Sequence, residues 1–110
     1  MDESEFEARA ETELARIEQA FEASGVDADI EPKGGGVLEI EFGDGSKMIV
    51  NRHAAAREIW VAARSGGFHF RYDGRCWRGT RDGAELYAVL SRLATEQSGS
   101  SVMLCVPDEG

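Results

Sequence analysis

Val37-Leu38-Glu39-Ile40-Glu41-Phe42, then Gly43-Asp44-Gly45-Ser46, then Lys47-Met48-Ile49-Val50-Asn51-Arg52 is the stretch that decides the fold. Leu38, Ile40 and Phe42 alternate with Glu39 and Glu41, the two-residue period of a strand with one buried and one wet face. Asp44-Gly45 tolerates the positive φ of a tight turn, so the two flanking runs pair as an antiparallel hairpin. Downstream, Arg57–Arg64 reads as a fourth strand, Phe68–Asp73 as a fifth after Ser65-Gly66-Gly67, and Cys76–Thr80 as a short sixth after Asp73-Gly74. Upstream, Val26–Glu31 alternates in the same way until Pro32 and three glycines break it. Turns this short imply an antiparallel meander.

A helix precedes the strands and another follows them. From Ser4 to about Ala23, Phe6, Ala10, Leu14, Ile17 and Phe21 recur at steps of four and three, the spacing of one helical face. Ser4 with Glu7 has the form of a capping box, and Gly25 is a stop signal. Asp82 is placed to cap a second helix reaching about Gln97, with Leu86, Leu90 and Leu93 on one face and Gly99 ending it. An apolar tail, Val102 to Val106, follows, and the chain from Val102 to Gly110 is expected to cover apolar surface between the helices. Residues 1–110 therefore read as a single α+β domain. It is a two-layer sandwich, with two terminal helices packed on one face of an antiparallel sheet of about six strands.

Charge narrows the function. The net charge is −9 over 110 residues, which argues against a nucleic-acid backbone as partner. No apolar run is long enough to span a bilayer. MDESEFEARAE resembles neither a secretory signal nor an Arg-rich transit peptide, so a cytoplasmic protein is expected. Cys76 and Cys105 share no metal-binding or redox spacing and read as free thiols. Residues 1–31 hold 11 acids against 2 bases, whereas residues 32–110 are balanced at 10 each. The whole net charge thus sits in the first segment.

On a helical wheel Glu3, Glu7, Glu11, Glu18 and Glu22 form one stripe beside the apolar face. Asp27, Asp29 and Glu31, on the polar face of the first strand, would extend it into a ridge of eight carboxylates. The i,i+4 like-charge pairs within the helix each cost roughly 0.2–0.5 kcal/mol unless something cationic neutralises them. Carboxylate oxygens on a wet ridge suit hard or borderline cations held weakly with several waters. They equally suit a basic patch on another protein, or simple solubility. The residues alone leave the three readings open.

Ile59, Val61 and Ala63 make the better core set of their strand, which puts Trp60 on the open sheet face with Glu39, Glu41, Asn51 and His69, as at an interface. Catalytic signatures are missing from the sequence. His53 and His69 fall in different elements, and neither Gly34–Gly36 nor Gly45-Ser46-Lys47 has the spacing of a phosphate loop.

Several spaced motifs together resemble the bacterial frataxin family: the acidic first helix, Asp27-x-Asp29-Ile30-Glu31, Gly35-Gly36-Val37-Leu38, Gly45-Ser46-Lys47, Asn51-Arg52, Trp60-Val61-Ala62 and Gly66-Gly67-Phe68-His69-Phe70. The resemblance implies an iron-binding accessory of iron–sulfur cluster assembly that regulates cluster production and is not an enzyme. Iron, Fe2+ or Fe3+, would be weakly bound, with no organic cofactor. Glu18, Glu22, Asp27, Asp29 and Glu31 match the family's acidic ridge, which meets iron and the cysteine desulfurase. Glu3, Glu7 and Glu11 extend it. Asn51 and Trp60 match the exposed sheet face used for partners, and the cluster scaffold protein is a further implied partner. A monomer with iron-driven oligomers is implied, and a ferroxidase or iron-storage protein is the alternative. Three positions depart from the family's pattern: aspartates thin to Ala23-Ser24-Gly25-Val26 at the helix-to-strand corner, Glu7 replaces a histidine, and His53 replaces a glutamine.

Overall fold

In a computed structural model, which describes residues 1–106, α1 (Glu3–Ser24) begins one residue before the predicted cap. Asp2 Oδ1 accepts the Glu5 amide at 2.8 Å and the Asp2 carbonyl accepts that of Phe6. The cap is thus Asp2 rather than Ser4, and Glu3 and Glu5 fall in the first turn, where the helix dipole favours negative charge. Phe6, Ala10, Leu14, Ile17 and Phe21 are all buried, as their spacing requires. Gly25, at φ +75°, closes the helix.

Six strands follow: β1 (Ala28–Gly34), β2 (Val37–Phe42), β3 (Lys47–His53), β4 (Glu58–Ala63), β5 (Gly66–Tyr72) and β6 (Trp77–Gly79). They form one antiparallel sheet in the order of the chain. β1 starts later than Val26 and runs through Pro32, because an edge strand needs no backbone donor on its outer side. Arg57, predicted to open the fourth strand, has φ +57° and belongs to the preceding turn. Gly66 and Gly67, predicted as turn residues, pair with Ala63 and Ala62 inside β5. Gly45, at φ +86°, makes the β2–β3 turn that Asp44-Gly45 promised, with Asp44 Oδ1 accepting the Ser46 amide at 2.9 Å.

α2 (Leu86–Ser98) is capped by Glu85, whose carboxylate accepts the Tyr87 and Ala88 amides. Asp82, the predicted cap, lies in the turn before it and takes the Ala84 amide at 3.0 Å. The inner sheet face contributes Leu38, Ile40, Met48, Val50, Ile59, Val61, Phe70 and Trp77 to one core, closed by Phe6, Ile17 and Phe21 of α1 and Leu86, Leu90 and Leu93 of α2. Across this layer the Tyr87 hydroxyl donates to the buried Glu13 carboxylate, joining the two helices. Burial first, and Glu13 second, push the Tyr87 pKa upward. The tail lies against α2: the Val102 amide donates to the Thr95 hydroxyl at 3.0 Å and the Leu104 amide to that of Ser91 at 2.9 Å. Val102 and Leu104 are buried, each worth roughly 1.5–3 kcal/mol. The rest of the predicted tail, residues 107–110, lies outside the described residues. Both cysteines are free thiols.

Candidate functional site

Glu31 stands opposite Glu39 and Asp29 opposite Glu41 in the β1–β2 register, so like charges meet on the outer face of the sheet edge. Such pairs are destabilising by themselves. Lys33 Nζ lies 3.3 Å from Glu31 and 3.5 Å from Glu39, and Lys47 Nζ lies 3.6 Å from Glu39. The hydrogen bond and charge of Glu31, with Glu39 behind it, raise the Lys33 pKa. Among the described residues, Asp29 and Glu41 have no cation within ion-pair distance. With Asp27 and Gly43 they line a shallow cleft of about 220 Å³.

The helix acids divide. Arg52 Nη1 reaches across Gly36 to Glu11 Oε1 at 2.8 Å. A β-carbon on Gly36 would come within 2.5 Å of that arginine, so the glycine is what lets it pass. Glu11 is therefore held in an ion pair with the sheet. Glu18 lines the groove where α1 meets Pro32 and Gly34–Gly36, and Glu22 is exposed one turn from Asp27. Glu3 and Glu7 flank Phe6, which packs on Trp77 of β6 at 6.1 Å between ring centroids, at the edge of the sheet farthest from β1. A 22-residue helix spans about 33 Å, more than the width of six strands, so one wheel stripe crosses the whole molecule. The eight predicted carboxylates are thus not one ridge. Glu18, Glu22, Asp27, Asp29 and Glu31 gather at the β1 edge, joined by Glu39 and Glu41, while Glu3 and Glu7 lie apart. Among the described residues no three His, Cys, Asp or Glu side chains converge into a metal cage. The edge offers oxygen donors in ones and twos, the pattern suited to a hard cation that keeps most of its water.

At the centre of the same face, Asn51, Trp60 and His69 share one cross-strand row, and His53, Glu58 and Arg71 share the next. Trp60 is half-buried between two imidazoles, His53 at 3.8 Å and His69 at 4.3 Å between centroids, both near parallel. Its Nε1 donates to Glu58 Oε1 at 2.8 Å, and Arg71 Nη2 donates to Glu58 Oε2 at 2.7 Å. The open aromatic face expected of Trp60 is therefore covered, and its rim is what remains for a partner. Asn51 Nδ2 is turned to the Arg52 carbonyl at 3.2 Å. Glu58, only 6% exposed, was not singled out by sequence reasoning, although its position two residues before Trp60 puts both on one face. Burial drives its pKa up, but the hydrogen bonds from Trp60 and Arg71 outweigh burial and leave it below the usual carboxylate range.

A two-layer α+β sandwich with an acidic helix-and-edge surface and an aromatic patch on its open face defines the class. Residues 1–100 match the family described as a frataxin-like domain, and the chain belongs to the frataxin family. Relatives named iron-sulfur cluster assembly protein CyaY include that of Dechloromonas aromatica, 62% identical over 104 residues, which are 94% of this chain and 99% of the relative. The protein of that name from Cupriavidus taiwanensis is 55% identical over 105 residues, covering 93% and 95%. The solved structure of frataxin from Psychromonas ingrahamii matches with a TM-score of 0.85 at 33% identity, over 94% of this chain and 97% of that one. The expected fold and the expected family are both borne out. No helix among the described residues is long and apolar enough to cross a membrane.

Proposed function

We propose that the protein acts in iron–sulfur cluster assembly as a regulatory accessory, carrying weakly held iron and docking on the cysteine desulfurase through its acidic edge. The role in cluster assembly follows the names of its relatives. The observation that carries the finer reading is the edge itself: Asp29 opposite Glu41 and Glu31 opposite Glu39 as like charges in register, with Asp27 beside them, and among the described residues only Lys33 and Lys47 in ion pairs there. Charge packed this way costs stability unless a cation or a basic surface meets it. Iron, as cargo, would bind through one or two carboxylates and retain water, which allows ready release. A basic patch on the desulfurase would be steered and oriented by the same field. Asn51 and the rim of Trp60 extend the contact surface, for the desulfurase or for the cluster scaffold protein.

In this reading the protein is a cytoplasmic monomer and not an enzyme, since turnover on iron as a ferroxidase needs donors that hold the metal through the redox step. Anaerobic titration of ¹⁵N-labelled protein with ferrous iron, with calcium as a control for charge screening, tests the metal half. Line broadening confined to residues 18–31 and 39–41 is expected, and uniform broadening overturns it. For docking, the triple variant D27K/D29K/E31K should lose desulfurase binding while keeping its circular dichroism and melting transition. Undiminished binding overturns that half.

A further inference from the structure

We propose that the groove between the outer side of α1 and the β5–β6 turn is a binding site for a small polyanion carrying two or more carboxylate or phosphate charges. It is lined by Arg9, Arg16 and Arg75 together with Tyr72, and its volume is about 630 Å³, within the range of small-molecule sites. Arg9 and Arg16 are the two bases of the acidic first segment. Seven residues apart, they return to nearly the same side of the helix, where Arg75 faces them from the turn. Two acids of the same segment, Glu5 and the buried Glu13, share the lining with them.

Each guanidinium is placed differently. That of Arg9 lies over the Tyr72 ring at 4.2 Å, an arrangement that uses its flat face and leaves its N–H edges to donate. Asp73 Oδ1 accepts the amides of Arg75 and Cys76, both at 2.9 Å, and so fixes the turn. The Arg75 guanidinium has no hydrogen-bond or ion-pair partner among the described residues. Arg16 Nη1 is 3.9 Å from Glu13 Oε1, so that guanidinium is already engaged and the donors left for a ligand are those of Arg9 and Arg75. Glu5 is the one exposed acid on the lining. The groove stands near Trp77 and β6, across the molecule from the β1 edge, so an anion there does not meet the acidic cluster. Charge-assisted hydrogen bonds to the two guanidiniums of Arg9 and Arg75 select a ligand with several anionic oxygens over a monovalent one. The site stands independently of the proposed role in cluster assembly.

Titrating ¹⁵N-labelled protein with citrate and, separately, with pyrophosphate, at low and at physiological salt, tests it. Saturable amide shifts are expected in the α1 residues around Arg9 and Arg16 and in residues 72–76, weakening as salt rises. R9A and R75A, both exposed, should each weaken binding by about three- to tenfold, while E5Q should tighten it with the fold unchanged. Response to citrate alone or to pyrophosphate alone supports the site and assigns its carboxylate or phosphate chemistry. Absence of saturable shifts with either probe, or shifts indifferent to R9A, R75A and E5Q alike, overturns it.

Discussion

On one face of one sheet, the β1–β2 edge and the β3–β5 centre treat carboxylates in opposite ways. At the centre Glu58 is buried and held by Trp60 and Arg71, with His69 Nδ1 3.6 Å away. At the edge Asp29 and Glu41 face each other exposed, and Glu31 and Glu39 share a lysine. A carboxylate whose hydrogen bonds are satisfied within the fold contributes to stability and has little left to offer a ligand. One left unsatisfied against a like charge is a standing demand for a cation. The contrast separates the residues that hold the sheet together from those free to act.

Removing Glu58 should break the comparison most severely. Glu58→Ala leaves Trp60 Nε1 and Arg71 without their acceptor and should cost about 2–3 kcal/mol in urea unfolding. Because the folded pKa of Glu58 is depressed, its contribution is fully present above the unfolded value, about 4.3, and is lost as pH falls through the folded value. Glu58→Gln should therefore flatten the stability–pH curve in that acidic window and leave neutral pH the less stable condition relative to the parent. Glu13 is the corresponding buried acid of α1. Tyr87→Phe, which takes away its hydroxyl partner, should cost about 1–2 kcal/mol by the same measurement.

Changes at the edge should have the opposite sign and a smaller size. Glu22→Gln relieves the i,i+4 repulsion with Glu18 and should raise stability by about 0.2–0.5 kcal/mol, a gain that shrinks with added salt. Lys33→Ala should strengthen ferrous-iron uptake in the NMR titration, because it removes the cation that now shares Glu31 and Glu39. Unchanged uptake would mean that these two carboxylates are not part of the cation surface.

Local pattern was enough to read most of the architecture. Alternation in Val37–Phe42 and the recurrence of Phe6, Ala10, Leu14, Ile17 and Phe21 fix which faces are buried, since burial follows the periods of strand and helix. Caps were less legible: Asp2 and Glu85 compete with Ser4 and Asp82 for the same role, and the winner depends on where the neighbouring turns place the chain. The acidic stripe was visible on the helical wheel, but a wheel has no length, so it joined Glu3 and Glu7 to acids at the other end of a helix that spans the sheet.

By itself, then, the sequence determined the order of elements, the inner faces of both layers and the concentration of negative charge in the first third of the chain. Those properties depend on neighbours a few residues apart. Only the tertiary structure decided that Arg52 would neutralise Glu11 across Gly36, that Arg75 would come to face Arg9 and Arg16, and that His53 and His69 would close on Trp60 above Glu58. Each of these is a meeting of distant segments set by strand register and by the path of α1 over the sheet, for which no local periodicity exists.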